Sequence, residues 1–297
     1  MPPVSGRLAF TTDSYVVDPL FFPGGDIGCL AVYGTVNDLA MAGARPLFVS
    51  VGLILEEGLP VADLKRVLES LRAAADRCGV KIVTGDTKVV PRGKADRLFI
   101  NTAGVGVLEH DLQIGGGGAR PGDRVLINGP FGDHGMAVLA SREGLALTSP
   151  IRSDCAPLHG LVNELLFELG GAVHVLRDPT RGGVATTLKE IARQSDVAIV
   201  LDEAALPVTP AVAAACAILG LDPLFVANEG KLLACVAPEA ADAALAIMHR
   251  HTPADAPGPA IIGTVVGEIG GRVRLHTAIG GVRSIEMLAG EQLPRIC

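Results

Sequence analysis

The sequence predicts a two-domain α/β protein. The chain is 297 residues long, more than a single core usually organises. Strand-like apolar runs alternate with helical patterns along its whole length. The alternation is interrupted once, by the glycine- and proline-rich "GGGGARPGD" at 115–123, and then starts again. These features divide the chain into an N-terminal α/β domain over 1–112, a C-terminal α/β domain over 113–289 and a mobile tail over 290–297.

In the first domain, "RLAFTTDSYVV" begins as a strand and ends in polar residues. "IGCLAVYGTVNDLAMAG" has apolar positions at helical spacing, closed by Gly43. "PLFVSVGLIL" reads as a buried strand. "PVADLKRVLESLRAAADRCG" is the clearest helix. Val61, Leu64, Val67, Leu68, Leu71, Ala75 and Cys78 form its stripe, and Gly79 stands at the C-terminal cap position. "VKIVTGDTKVV" and "LFINTAGVGVL" read as strands, the first ending at Val83.

In the second domain, "RVLINGP", "AVHVLRD", "LLACVAP" and "AIIGTVVGEI" read as strands. Helices are expected near "HGMAVLASREG", "LHGLVNELLFELG", "GVATTLKEIARQ" and "EAADAALAIMHRH". No fixed-period repeat is present.

Composition narrows the function. Hydrophobic residues make up 49%, enough for sizeable cores, but Trp is absent, so Ala, Val, Leu and Ile must fill them. Net charge is −7 with no basic run, which argues against nucleic acid as a partner. Mean hydropathy is +0.42, yet the best membrane candidate, "AVAAACAILGLDPLFVA", is broken by Asp222 and Pro223 and reads as buried core. The N-terminus shows no secretion signal. The six cysteines form no C-x-x-C pair, which argues against a zinc ribbon or disulfide framework and fits a reducing cytoplasm.

Acidic residues gather where strands give out. Asp13 ends an apolar run, Asn37 and Asp38 interrupt an apolar helix, and Asp86 follows the strand over 80–83, with Lys88 two residues on. Carboxylates at one sheet edge suit Mg²⁺, a hard ion that bridges to phosphates. Turn chemistry is the better account of any one of them alone, and it is the grouping of the three that points to a metal–nucleotide site. "FFPGGDIG" (21–28) either faces an anion or is capped by Asp26. No Walker motif is present. "RDPTRGGVATTLKEIA" sets Asp178, Arg181, Gly182 and Gly183 ahead of a helix. That pattern suits phosphate binding, or a tight turn whose glycines relieve strain. His134 opens a helix, as ligand or as cap. Glu229 and Lys231 flank a buried strand, as catalytic groups or as a solvated ion pair.

The chain ends in "EQLPRIC". Pro294 should keep the end extended, and seven residues at ~3.3 Å each reach roughly 23 Å. Cys297 can therefore enter a cleft as a nucleophilic carrier thiol.

"FTTDSYVVDPLFFPGGDIG", "GTVNDLAMAGARP", "TGDTKVV", "GDHGMAVL", "LRDPTRGGVATTLKEIA", "NEGKLL" and terminal "PRIC" together resemble the HypE family of hydrogenase maturation proteins, over essentially the whole chain. The resemblance implies the two-domain aminoimidazole ribonucleotide synthetase-like fold, a homodimer, and ATP with Mg²⁺ between the domains. It implies a carbamoyl group placed on Cys297 by a HypF-like carbamoyltransferase. ATP-dependent dehydration to a thiocyanate follows, with cyanide passed to iron on a HypC–HypD complex. It would make Asp13, Asp38 and Asp86 the metal and nucleotide side, assisted by Asn37, and Glu229 or Lys88 the proton-handling group. It also implies several dozen residues ahead of Arg7, with a glycine-rich stretch and an acidic element, which this sequence lacks. A non-hydrolysing carrier, or another kinase or synthetase of the fold, are the alternatives.

Overall fold

The computed structural model describes residues 5–145, 151–253, 256–268, 270–288, 290, 293 and 295–297. The first domain runs β1 (Arg7–Tyr15), β2 (Phe21–Phe22), β3 (Gly25–Asp26), α1 (Ile27–Met41), β4 (Arg45–Glu56), α2 (Val61–Cys78), β5 (Lys81–Val90) and β6 (Leu98–Leu108). Its sheet has the order β1-β6-β4-β5, and only the β4–β5 pair is parallel.

Helix α1 is apolar on almost every side, the pattern of a helix with no solvent face. Asp26 caps it, accepting from Gly28 N at 2.8 Å and Cys29 N at 3.1 Å. The first helical amides are thus already taken by a carboxylate, so "FFPGGDIG" is a cap and not an anion site. Helix α2 buries Val67, Leu71, Ala74, Ala75 and Cys78 and ends at Gly79 with φ of 67°, as the pattern predicts. Val61 and Leu68 fall outside its buried face.

The second domain runs β7 (Arg124–Ile127), α3 (Asp133–Arg142), α4 (His159–Leu169), β8 (Val173–Arg177), α5 (Gly183–Gln194), β9 (Ala198–Asp202), α6 (Pro210–Leu219), β10 (Leu233–Val236), α7 (Ala241–Arg250), β11 (Ala260–Val266), β12 (Arg272–His276) and β13 (Val282–Ile285). Its mixed sheet has the order β13-β12-β9-β11-β7-β10-β8. Val125, Ile127 and Val175 pack with α5 on one face, while Leu126 and Leu176 pack with α4 and α7 on the other. Central strands covered on both faces read as unbroken apolar runs, which is why the sequence shows them clearly. Strands β9, β12 and β13 and helix α6 were not separately assigned from sequence. The segment that resembled a membrane span holds α6, and no described helix is long and apolar enough to cross a membrane.

The glycine run between the domains is packed. Ser195 Oγ donates to Gly116 O at 2.8 Å and accepts from Ala119 N at 3.1 Å. A side chain at Gly116 or Gly118 would strike Gln194 or the His174 carbonyl. Gly118 is required by its close approach to the β8 backbone, and the run as a whole is held against α5 and β8.

The chain terminus is docked. Ile296 is 3% exposed and joins the core of the first domain. Arg295 takes a φ of 54°, so the described end turns where an extended run was expected. Pro294 lies outside the described residues.

Candidate active site

The site lies where β1 and α1 of the first domain meet the β8–α5 turn, the segment before β10 and the chain terminus. Asp13, Asp38, Asp178, Arg181, Glu229 and Cys297 line one cavity of about 170 Å³, with Thr12, Gly34 and Thr180. A wider groove of about 550 Å³ continues past Asp38, Asp178 and Arg181. Six of the residues singled out by sequence, the first and last 284 positions apart (297 − 13), therefore line one cavity.

Each carboxylate is held by its element. Asp13 sits on β1, and Asp38 accepts from Thr11 Oγ1 at 2.8 Å. Asp178 follows the last residue of β8. Glu229 is buried, and its backbone N–H donates to Asp154 Oδ1 at 3.1 Å. Burial, reinforced by Asp178, pushes Asp38 up to about 7. Burial also raises Asp178. Burial first, then Asp154, Asp178, Asp13 and Asp38, pushes Glu229 well above the usual carboxylate range. Carboxylates crowded in a low-dielectric cleft are a setting that a bound cation relieves.

The donor chemistry fits Mg²⁺ with a polyphosphate. Among the described residues no three His, Cys, Asp or Glu side chains converge on one point as a ready-made metal cage. Mg²⁺ typically takes one or two carboxylates and completes its shell with phosphate oxygens and water, which the carboxylates along this wall allow. Arg181 and the turn entering α5 add positive potential to the same cavity. The Thr186 hydroxyl, in the first turn of α5, is buried without a partner and borders a neighbouring cavity that Arg181, Gly182 and Cys297 also line.

Four expected contributors, Asp86, Lys88, Asn37 and Gly183, take other places. Strand β5 runs unbroken through Asp86, which lies mid-strand and exposed, paired with Lys88 at 3.0 Å. The sheet register places Asp13, Thr102, Val51 and Gly85 in one row, so Asp86, one residue on, points to the opposite face. Three strand spacings also separate it from β1, about 14 Å. Asp86 and Lys88 therefore cannot join Asp13 and Asp38 within one chain. Asn37 is 2% exposed, with both amide protons donated, to Ala156 O and Glu229 O, and its Oδ1 accepting from Leu158 N. It braces the segments that carry the site and does not line the cavity. The N–H of Gly183 donates to Thr180 O, and a side chain there would meet the Leu224 and Val226 carbonyls. Gly183 shapes the turn, while Gly182 lines the cavity beside Arg181.

Lys231 pairs with Asp154 at 3.6 Å, not with Glu229, and neither group is solvated as a surface pair. His134, read from sequence as a ligand or a cap, does not cap α3, whose cap position is Gly132, and is buried between Ser153 and the Ile296 carbonyl. Asp154 and Arg142 were not read from sequence. Their roles come from segments far apart in the chain, and nothing local marks them.

The fold and this cleft define a two-domain protein related to AIR synthase. Residues 3–108 match the AIR synthase related protein N-terminal domain and residues 120–276 its C-terminal domain. Carbamoyl dehydratase HypE of Rhizobium leguminosarum bv. viciae is 56% identical over 98% of this chain and 83% of that protein. A crystal structure of hydrogenase maturation protein HypE in complex with ATP superposes with TM-score 0.94 at 51% identity, over 100% of this chain and 89% of that one. HypE in a HypE–HypF complex gives 0.90 at 49%, over 95% and 90%. The chain belongs to the HypE family of hydrogenase maturation proteins.

Proposed function

We propose that the protein is an ATP-dependent carbamoyl dehydratase acting on its own terminal residue, converting an S-carboxamide on Cys297 into a thiocyanate. The observation that carries this is the placement of Cys297, the last residue, in one cavity with Asp13, Asp38, Asp178, Arg181 and Glu229.

An amide oxygen is a poor leaving group and phosphate is a good one. Bound ATP with Mg²⁺ supplies the phosphoryl group that makes the exchange. Carboxylates among Asp13, Asp38 and Asp178 would hold Mg²⁺ together with phosphate oxygens and water, and Arg181 with the α5 entry would orient the phosphate. Glu229 accepts a proton from the amide nitrogen. Its burial among carboxylates makes its ionised form a strong base, once the neighbouring charge is neutralised. The amide oxygen takes the γ-phosphoryl group as ADP leaves, and Glu229 takes one nitrogen proton. The carbon–oxygen bond then breaks with its electron pair and the second nitrogen proton leaving on phosphate, while the sulfur–carbon bond is kept.

A homodimer suits the first domain. Its helices cover one face of the sheet, while Leu8 (60% exposed), Phe10 (71%) and Ile54 (40%) are open on the other. Asp86 and Lys88 share that open face, so any part they take in metal binding or proton handling runs through a second copy. The HypE–HypF complex of relatives supports a HypF-like carbamoyltransferase as the donor. A HypC–HypD complex would receive the cyanide for the iron of a [NiFe]-hydrogenase, in the cytoplasm.

The test is the mass of the C-terminal peptide after incubation with ATP, Mg²⁺, carbamoyl phosphate and the carbamoyltransferase. Gain of a carbamoyl group followed by ATP-dependent loss of water is expected. A stable carbamoyl adduct would leave only a carrier, and no adduct on Cys297 would remove both readings.

A further inference from the structure

The backbone oxygens of the last three residues are each held. Cys297 O accepts from Val16 N at 2.9 Å, and Arg295 O accepts from Arg142 Nη2 at 2.6 Å and from Asp18 N at 3.4 Å. Ile296 O accepts from His134 Nε2 at 2.9 Å. His134 is fully buried, with its ring edge-on to Phe22 at 5.4 Å between centroids.

The hydrogen bonds fix its tautomer. A carbonyl only accepts, so Nε2 carries the proton. Burial keeps the ring neutral, so Nδ1 is a lone pair and accepts from Ser153 Oγ at 2.8 Å. Ser153 is itself fixed. Its oxygen accepts from Cys155 N at 3.1 Å, and its backbone N–H donates to Pro23 O at 2.7 Å. The next residue, Asp154, is the one that holds the Glu229 backbone. One imidazole therefore couples the peptide unit ahead of Cys297 to the segment that places Glu229.

We propose that His134 is the positioning residue of the terminal cysteine. It latches the Ile296 carbonyl so that the side chain of Cys297 is presented to Glu229, and Arg142, on the same helix α3, closes the latch from the solvent side. The catalytic part rests on the dehydratase reading above. The latch itself does not, because it is a statement about where the tail sits. Loading and unloading of the thiol by partners require the latch to open, and dehydration requires it closed.

The experiment compares the full-length wild type with His134→Leu, which removes both ring nitrogens, and His134→Gln, which keeps a donor near the Nε2 position. The rate of Cys297 alkylation by iodoacetamide is read from the mass of the C-terminal peptide, alongside kcat and the KM for ATP. Leu should raise alkylation about tenfold, the scale of one buried hydrogen bond, and lower kcat with KM for ATP unchanged. Gln should restore wild-type protection to within about twofold. If His134→Leu does not fold, Arg142→Gln, altered on the solvent side, carries the test and should raise alkylation about threefold. Equal alkylation of wild type and every folded variant overturns the latch, whether or not the wild type dehydrates its adduct. Lost protection in the variants, with no dehydration by the wild type, sustains the latch and overturns the dehydratase reading alone.

Discussion

The backbone N–H of Val16 donates to the carbonyl of Cys297 at 2.9 Å, joining the run after the first strand to the last residue of the chain. A terminus 281 residues away (297 − 16) is thereby seated at the cleft that the two domains make. The seat is built from both domains: Val16 and Asp18 come from the first, His134 and Arg142 from the second.

Glu229 is the first residue to test. Glu229→Gln keeps the size of the side chain and removes the base. Dehydration of carbamoylated protein should slow by about a hundredfold or more, the usual worth of a positioned base. Carbamoylation of Cys297 should persist. Full dehydration by the variant, read by peptide mass, would take Glu229 out of the mechanism.

Asp133 makes stability depend on pH. Burial, then Asp154, raise its carboxyl from 3.8 to about 6, against Lys231. A raised folded value means the proton binds the native state more tightly. The stabilisation is complete below 3.8 and lost as pH rises through 6. Asp133→Asn should therefore gain stability relative to wild type between pH 4 and pH 7, on the order of 1 kcal/mol after screening at this half-buried position. Denaturant melts at the two pH values measure it.

Asp26 caps α1 through two backbone amides. Asp26→Ala leaves both without that acceptor, and should cost about 1 kcal/mol. Thermal unfolding without ligand reads the loss.

Ile54 stands on the open face of the first sheet. Ile54→Asp places a charge where a second copy is expected to pack, and should give a monomer by sedimentation while the circular dichroism spectrum is unchanged. An unaltered dimer would move the interface elsewhere.

Much of this was legible in the sequence for physical reasons. The second sheet is covered on both faces, so its central strands are unbroken apolar runs. Helix α2 declares itself by its stripe and by Gly79. Asp13, Asp38, Asp178, Arg181, Glu229 and Cys297 sit at element ends or inside apolar runs, where polar residues stand out. Asp86 looked equivalent to Asp13, but side chains alternate along a strand, and only the register shows that the two face opposite ways. Asn37 looked like a ligand because it interrupts an apolar helix. Its partners at Ala156, Leu158 and Glu229 come from segments over a hundred residues away. His134 stood out at a helix start, but its partner at Ile296, like that of Arg142 at Arg295, lies over a hundred and fifty residues away, where no local pattern reaches.

The central claim is that the reacting group rides on Cys297, and an infrared spectrum tests it most directly. The wild type is loaded by the carbamoyltransferase with isotope-labelled carbamoyl phosphate and then given ATP and Mg²⁺. The account predicts a nitrile band that shifts with the label and is absent from Cys297→Ser. Turnover of ATP with a persistent carbamoyl signal and no nitrile band would contradict it.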